Sequence, residues 1–369
     1  ARLRGLSLSC DATDQLTNNE WLALQAEQPL KPLLRIVDPH HHLKMGWSSE
    51  YMDTQSFKNT FGQRTCLGEP YMMQEFVADL AGNNVTHTTY ITAKSFFDTD
   101  GPEHMRPVGE TRKVQQLADG AALCLESRVC AGIMAWADLS LGEAVGEVLD
   151  AHIASGKNFV GIRYSSAFSP PDAAELLCFT DDPHKLCDPK FREGIAQLLK
   201  RNLLFETFLY HPQLPQLADL ANNFPSLKVV CDHAGMPIAQ GTYGSLDWGG
   251  ATADAWRTDI ARLAENSNVV MKLSGMTMNV SAGYRLYEQP LPPSSHELAA
   301  LLAPWYNFCI DQFGASRCMF ASNFPMDRTN CSYTVLWNSF KRIALARNCT
   351  KGEMQSLFGC TARRVYGLS

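Results

Sequence analysis

The chain has 369 residues, 45% of them hydrophobic, and a formal charge of −6. That length and apolar content suffice for one large core, and the acidic balance argues against nucleic-acid or anionic-membrane partners, which favour basic patches. No apolar run reaches the ~18–20 residues of a membrane-spanning helix, so a small-molecule partner is the default and homo-oligomerisation is left open.

Residues 1–34 read as a polar, irregular N-terminal extension with one helical stretch at 18–28, placed under a barrel or lent to a neighbouring copy. From residue 35 onward, short β-branched runs alternate with longer helical patterns. Eight strands are predicted: Arg35–His42, His87–Ala93, Val129–Leu139, Phe159–Ser165, Leu203–Tyr210, Leu227–His233, Asn268–Gly275 and Cys318–Pro325. Most are continuous apolar runs, as strands covered on both faces of a parallel sheet should be. Between the first two lies "EPYMMQEFVADLAGNN", with Pro70 near its start and Gly82 at its stop. "SLGEAVGEVLDAHIASGKN" offers Ser140 and Glu143 as a capping box. "DPKFREGIAQLLKRN", "HPQLPQLADLANNFP" and "DAWRTDIARLAENSN" supply further helices. Eight strand-then-helix units define an α/β chain folded as a single (β/α)8 TIM barrel over residues 35–369. A doubly wound open sheet is disfavoured, since no Gly-rich phosphate loop follows the first strand. The segment from Asn279 to Pro293 reads as a long loop or lid.

The twelve cysteines are scattered and form no CxxC pair, so they read as reduced core residues of a cytoplasmic protein. Four Asn-x-Ser/Thr sequons, at Asn84, Asn279, Asn330 and Asn348, keep secretion open. The opening "ARLRGLSLSCDAT" makes a poor signal peptide.

Active sites of such barrels sit at the C-terminal ends of the strands. Strand one ends in "DPHHH", where alternation puts His40 and His42 on one face with Asp38 behind them, and His41 on the other. Asp38 is thereby an orienting partner for an imidazole. Strand four offers Arg163 and Tyr164, an Arg suited to a carboxylate or a polarised carbonyl. Strand five carries Glu206 and ends at His211, which would look the same if it only capped the next helix. Strand six ends at His233. Strand seven carries Lys272, which with Glu206 forms either a site pair or a buried pair. Strand eight ends at Asn323 and reaches Asp327. Histidines converging from three strands suit zinc or a similar divalent cation.

Together "VDPHHHL", "GIRYS", "YHPQL", "CDHAGMP", "NVVMKLSGM" and "FASNFPMD", in order across residues 37 to 327, resemble the amidohydrolase superfamily. Within it they are most similar to the amidohydrolase 2 group, which includes sugar lactonases, 2-pyrone-4,6-dicarboxylate lactonase and zinc-dependent decarboxylases. The resemblance implies a hydrolase of a small cyclic ester, with His40, His42 and His211 as metal ligands where a metal is used. It assigns catalytic roles to His233 and Arg163, with Arg163 and Tyr164 toward substrate. The family's strand-eight Asp is replaced by Asn323, and an amide cannot accept a proton at neutral pH. Asp327 then supplies the carboxylate, or the reaction proceeds without metal, or hydrolysis is lost. The alternatives are a metal-dependent decarboxylase or other lyase, and a small-molecule binding protein without turnover.

Overall fold

The computed structural model describes residues 16–46, 52–54, 67–173, 176–278, 284 and 286–369. The strands are β1 (Ile36–His41), β2 (Val85–Ile91), β3 (Arg128–Ala135), β4 (Phe159–Ser165), β5 (Leu204–Phe208), β6 (Val229–Cys231), β7 (Val269–Leu273) and β8 (Cys318–Phe320). Each pairs in parallel with the next, in sequence order. The circle closes where His41 bridges Phe324 in parallel and the His42 N–H donates to the Phe324 carbonyl at 2.7 Å. This is the expected TIM barrel. The strands after β5 stop short of their predicted ends because the following residues turn inward as site loops.

The helices are α1 (Asn18–Ala23), α2 (Met73–Leu80), α3 (Val108–Ala121), α4 (Val145–Ser155), α5 (Pro189–Lys200), α6 (Leu214–Asn223), α7 (Ala251–Ala264), α8 (Ser295–Phe313), α9 (Tyr333–Ala346), α10 (Lys351–Gln355) and α11 (Thr361–Tyr366). The capping box predicted at Ser140 does not form. Asp138 accepts the Ser140 N–H instead, and Gly142 at φ +62 breaks the turn, so α4 starts at Val145.

Residues 18–30 run along the flank of the barrel. Trp21 is fully buried and its indole N–H donates to the Gln289 carbonyl at 3.2 Å, while the Asn18 amide donates to the Thr329 carbonyl. The segment therefore clasps the flank next to the loop that follows β8. Residues 1–15 lie outside the described residues, as do 279–283 and 285 of the expected lid.

The other end of the chain closes the bottom instead. Val365, Tyr366 and Leu368 pack with Val37, Met134, Val230 and Met319 inside the barrel, making an apolar plug. Among the described residues no helix is long and apolar enough to cross a membrane, and the ten described cysteines are unpaired.

Candidate active site

Above the apolar plug the barrel interior turns polar. Lys272 Nζ donates to Glu206 Oε1 at 2.5 Å, and Tyr366 Oη donates to Glu206 Oε2 at 2.7 Å. Both side chains of the Lys272–Glu206 pair are wholly buried. They lie beneath the pocket, so the buried-pair reading is the one the structure gives, and neither lines the space where substrate would sit. Burial first, and the Asp232 charge second, push the Glu206 carboxyl up, and the Lys272 ammonium bonded to it pulls it back toward the charged form.

Lys272 Nζ also lies 3.2 Å from His40 Nδ1. The hydrogen-bond roles in this chain are fixed by its ends. A carbonyl only accepts, so His42 Nδ1–H donates to the Ile91 carbonyl at 2.9 Å. Burial lowers both imidazoles, His42 to about 4 and His40 well below the usual range, so each is neutral. His42 Nε2 then accepts from His40 Nε2–H at 3.3 Å, which leaves His40 Nδ1 to accept from Lys272. Every atom of the relay is satisfied.

The alternation argued from the sequence holds for His40, His41 and His42 but fails for Asp38. Asp38 pairs with Thr88 and His41 with Tyr90, so β1 spends three residues where β2 spends two. This bulge shifts the parity. His40 and His42 turn inward with Val37, His41 stacks outward on Phe76, and Asp38 accepts from Tyr333 Oη of α9 and the Ser322 N–H. Asp38 thus ties β1 to β8 and α9 and orients no imidazole.

Asp232 takes the place foreseen for Asp38. Its Oδ2 accepts from Arg163 Nε at 3.1 Å, and its Oδ1 lies 3.5 Å from His40 Nδ1 and 3.6 Å from Lys272 Nζ. Burial opposes its charge, but the Lys272 ammonium holds the carboxyl well below the usual range. The signal was present: Val230 and Asp232 alternate onto one face of strand six. His233 follows with φ +55, which swings its ring back over the barrel mouth. Gly275, at φ +69, makes the room, since a Cβ there would sit 2.5 Å from the His233 ring. His233 Nδ1 lies 2.8 Å from Ser274 Oγ, and burial holds the imidazole near 3.

The remaining predicted residues divide. Arg163 is 13% exposed, with Nη1 donating to Ser165 Oγ at 2.6 Å. Tyr164, next along β4, points the opposite way and packs on Phe191 of α5, 5.0 Å between ring centroids, so it does not reach the pocket. His211 also lies apart: its Nδ1 accepts the Ile238 N–H at 3.2 Å and its ring meets Tyr243 edge-on. It starts the turn leading into α6, the helix-capping alternative its position allowed. Asn323 lines the pocket and donates through Nδ2 to Asp327, which also accepts from Thr277 Oγ. Asp327 is wholly buried beneath Asn323, and burial lifts its carboxyl to about 7.

That shift has a measurable sign. A carboxyl raised from 3.8 to about 7 carries no ionisation penalty below 3.8, acquires it as pH rises, and carries it in full above about 7. Asp327→Asn should therefore stabilise the fold more at pH 7.5 than at pH 5 in urea titrations. Equal increments at both pH values would contradict the assigned burial effect.

The pocket these residues surround has about 890 Å³ of free space including its mouth. Lys44, Lys94 and Arg163 give it positive charge, His42 and His233 add neutral imidazoles, and Trp136, Phe208 and Tyr210 give it aromatic walls. No carboxylate lines it among the described residues. Below it, one ligand atom each from His40, Asp232 and His233 lie within 4.8 Å of one another. Two imidazoles and a carboxylate are a zinc-type donor set, and Asp232 Oδ1 has no hydrogen-bond donor, so these residues fit a divalent cation that displaces Lys272 from His40 Nδ1. Of the three histidines assigned to metal from the sequence, only His40 enters this set. His42 adjoins it and His211 does not.

Strand-end residues around a mixed basic and aromatic pocket at the mouth of a (β/α)8 barrel define a TIM-barrel enzyme of small molecules. The amidohydrolase family model Amidohydro_2 matches residues 37–368, and the chain belongs to that family. An uncharacterized protein, y4mH, from Sinorhizobium fredii is 28% identical over 338 residues, 90% of this chain and 98% of that protein. An L-fucono-1,5-lactonase from Burkholderia multivorans is 27% identical over 245 residues, 66% of this chain and 74% of the lactonase. A zinc-bound amidohydrolase from B. multivorans has the same fold, with a TM-score of 0.67, 21% identity, and coverage of 90% of this chain and 99% of that one.

Proposed function

We propose that the protein opens a small cyclic ester, a sugar lactone or a carboxylated pyrone-type lactone, by attack of water. The observation that carries this reading is the segregation of charge: basic groups and one amide face the pocket, while Asp232, Glu206 and Asp327 lie beneath it. Such a surface stabilises the oxyanion that forms as an ester carbonyl is attacked. The similarity to L-fucono-1,5-lactonase supports the lactone class.

Arg163, fixed through Nε to Asp232 and Nη1 to Ser165, keeps Nη2 for the substrate carbonyl. With Nδ1–H given to Ser274 Oγ, neutral His233 holds a lone pair on Nε2 that accepts the proton of the attacking water. Asp232 favours the imidazolium so formed. Asp327, expected from the sequence to be this base, has both oxygens engaged and no pocket surface, so its part is to hold the Asn323 amide. A divalent cation held by His40, Asp232 and His233 would take that Nε2 lone pair as a ligand, so it would replace His233 as base by supplying a bound water of lowered pKa, and would polarise the carbonyl.

The same basic pocket suits a carboxylate awaiting decarboxylation, the second reading. Mass spectrometry of products from lactones and carboxylated aromatics separates the two: hydrolysis adds one water, decarboxylation removes carbon dioxide. Elemental analysis of the same preparation and of His40→Ala checks the cation. Binding of either substrate with no product would defeat both enzymatic readings.

A further inference from the structure

A divalent cation would not be the first positive charge at this site. Lys272 Nζ already lies 2.5 Å from Glu206 Oε1, 3.2 Å from His40 Nδ1 and 3.6 Å from Asp232 Oδ1. His40 and Asp232 are two of the three residues able to hold a metal, and a metal ligand must offer a free lone pair. On His40 that lone pair is at Nδ1, where Lys272 already donates to it. The other ring nitrogen is no substitute, because Nε2–H is given to His42. A metal on Nδ1 ends the bond from Lys272, and a metal on Nε2 ends the relay to His42.

The charges give the same answer. Lys272 and Arg163 face Glu206 and Asp232 in one ion-paired set, two positive groups against two negative. Lys272, Glu206 and Asp232 have no exposed side-chain surface, so solvent screens them little. A divalent cation added to a balanced, buried set brings charge that nothing there compensates. Nor can the ammonium withdraw far. The Tyr366 ring lies 5.3 Å from it, packed in the apolar plug with Val230, Met319 and Val365. Asp232 Oδ1, which has no hydrogen-bond donor, is the one atom left open, so a metal enters only by displacing Lys272.

We propose that Lys272 is the resident cation of this site, a positioning residue that pins His40 and Asp232 as a metal would and keeps a divalent cation from binding tightly. With Lys272 in place, His233 Nε2 keeps the lone pair that a base needs. The inference stands apart from the cyclic-ester reading, because metal affinity and stability are read without any turnover.

The test is calorimetric titration with zinc of wild type, Lys272→Met and Lys272→Met/Glu206→Gln, each first dialysed against chelator, with urea unfolding in zinc and in chelator alongside. The single variant removes the competing ammonium and leaves two carboxylates facing Arg163. The double variant removes the same competitor but keeps the charges even, Asp232 against Arg163, so it carries the test alone if the single variant does not fold. The expected result is a zinc Kd at least about tenfold lower in the double variant than in wild type, and lower still in the single one. Zinc should raise the urea midpoint of both variants well above its effect on wild type. Adding Asp232→Asn to the double variant should abolish the gain, which places the zinc at this site. Zinc affinity in the variants equal to that of wild type overturns the proposal, as does a gain that survives Asp232→Asn. Submicromolar zinc binding by wild type that is lost in His40→Ala overturns it as well.

Discussion

His233→Ala is expected to lower kcat by roughly 10²–10⁴-fold while leaving the fold intact. The imidazole is held by one hydrogen bond to Ser274 and by contact with Gly275, and its removal breaks no strand pairing. It faces the pocket, it is neutral, and Asp232 lies close enough to stabilise the proton it would take up. Steady-state kinetics on the best lactone, with circular dichroism as the control for folding, reads the effect. Elemental analysis of the variant shows whether a bound cation is lost with the ring. Turnover within about threefold of wild type would remove His233 from the chemistry, since that is far smaller than the loss of a general base.

Lys272→Met should destabilise the protein by about 3–5 kcal/mol, because it leaves the Glu206 carboxylate buried without its cation. Two further partners suffer. Asp232 loses a charge 3.6 Å away, and His40 Nδ1 loses the donor that fixes its tautomer. The double variant Lys272→Met/Glu206→Gln removes both charges and should recover most of the stability, because a neutral buried pair carries little desolvation penalty. It should not recover activity, since His40 and His42 would still lack the anchored end of their relay. Chemical denaturation of the two variants and the parent decides this. If the double variant is no more stable than Lys272→Met, the Glu206 charge is not the source of the loss.

The barrel was legible because eight apolar runs alternating with amphipathic ones have few other ways to bury themselves. Arg163, His40, His42 and His233 were legible because basic residues at the ends of such runs are conspicuous. The misreadings have local causes. Alternation is a rule for unbroken strands, and a bulge between Asp38 and His41 leaves no mark in composition, so Asp38 was assigned to the wrong face. Tyr164 was carried into the site by its neighbour Arg163, although adjacent strand residues face opposite ways. His211 resembled a ligand in sequence, and only the Ile238 N–H reveals that the lone pair of Nδ1 is already taken. Lys94 and Trp136, both on the pocket wall, escaped notice because strands two and three end in apolar residues, and the place of Lys94 comes from a turn set by Glu110, sixteen positions beyond it. Such long-range anchoring has no signature in a linear pattern.

The plug at the bottom of the barrel bears on the order in which the protein becomes competent. Tyr366 holds Glu206, Glu206 holds Lys272, and Lys272 sets the tautomer of His40. The mouth of the barrel is therefore braced from below by a side chain late in the chain, whereas its strand-one histidines precede most of the barrel. During synthesis, when earlier segments emerge first, His40 and His42 must wait for Tyr366 to dock before their protons are placed. Until that docking the strands can pair and the pocket can take shape, yet the enzyme would be silent.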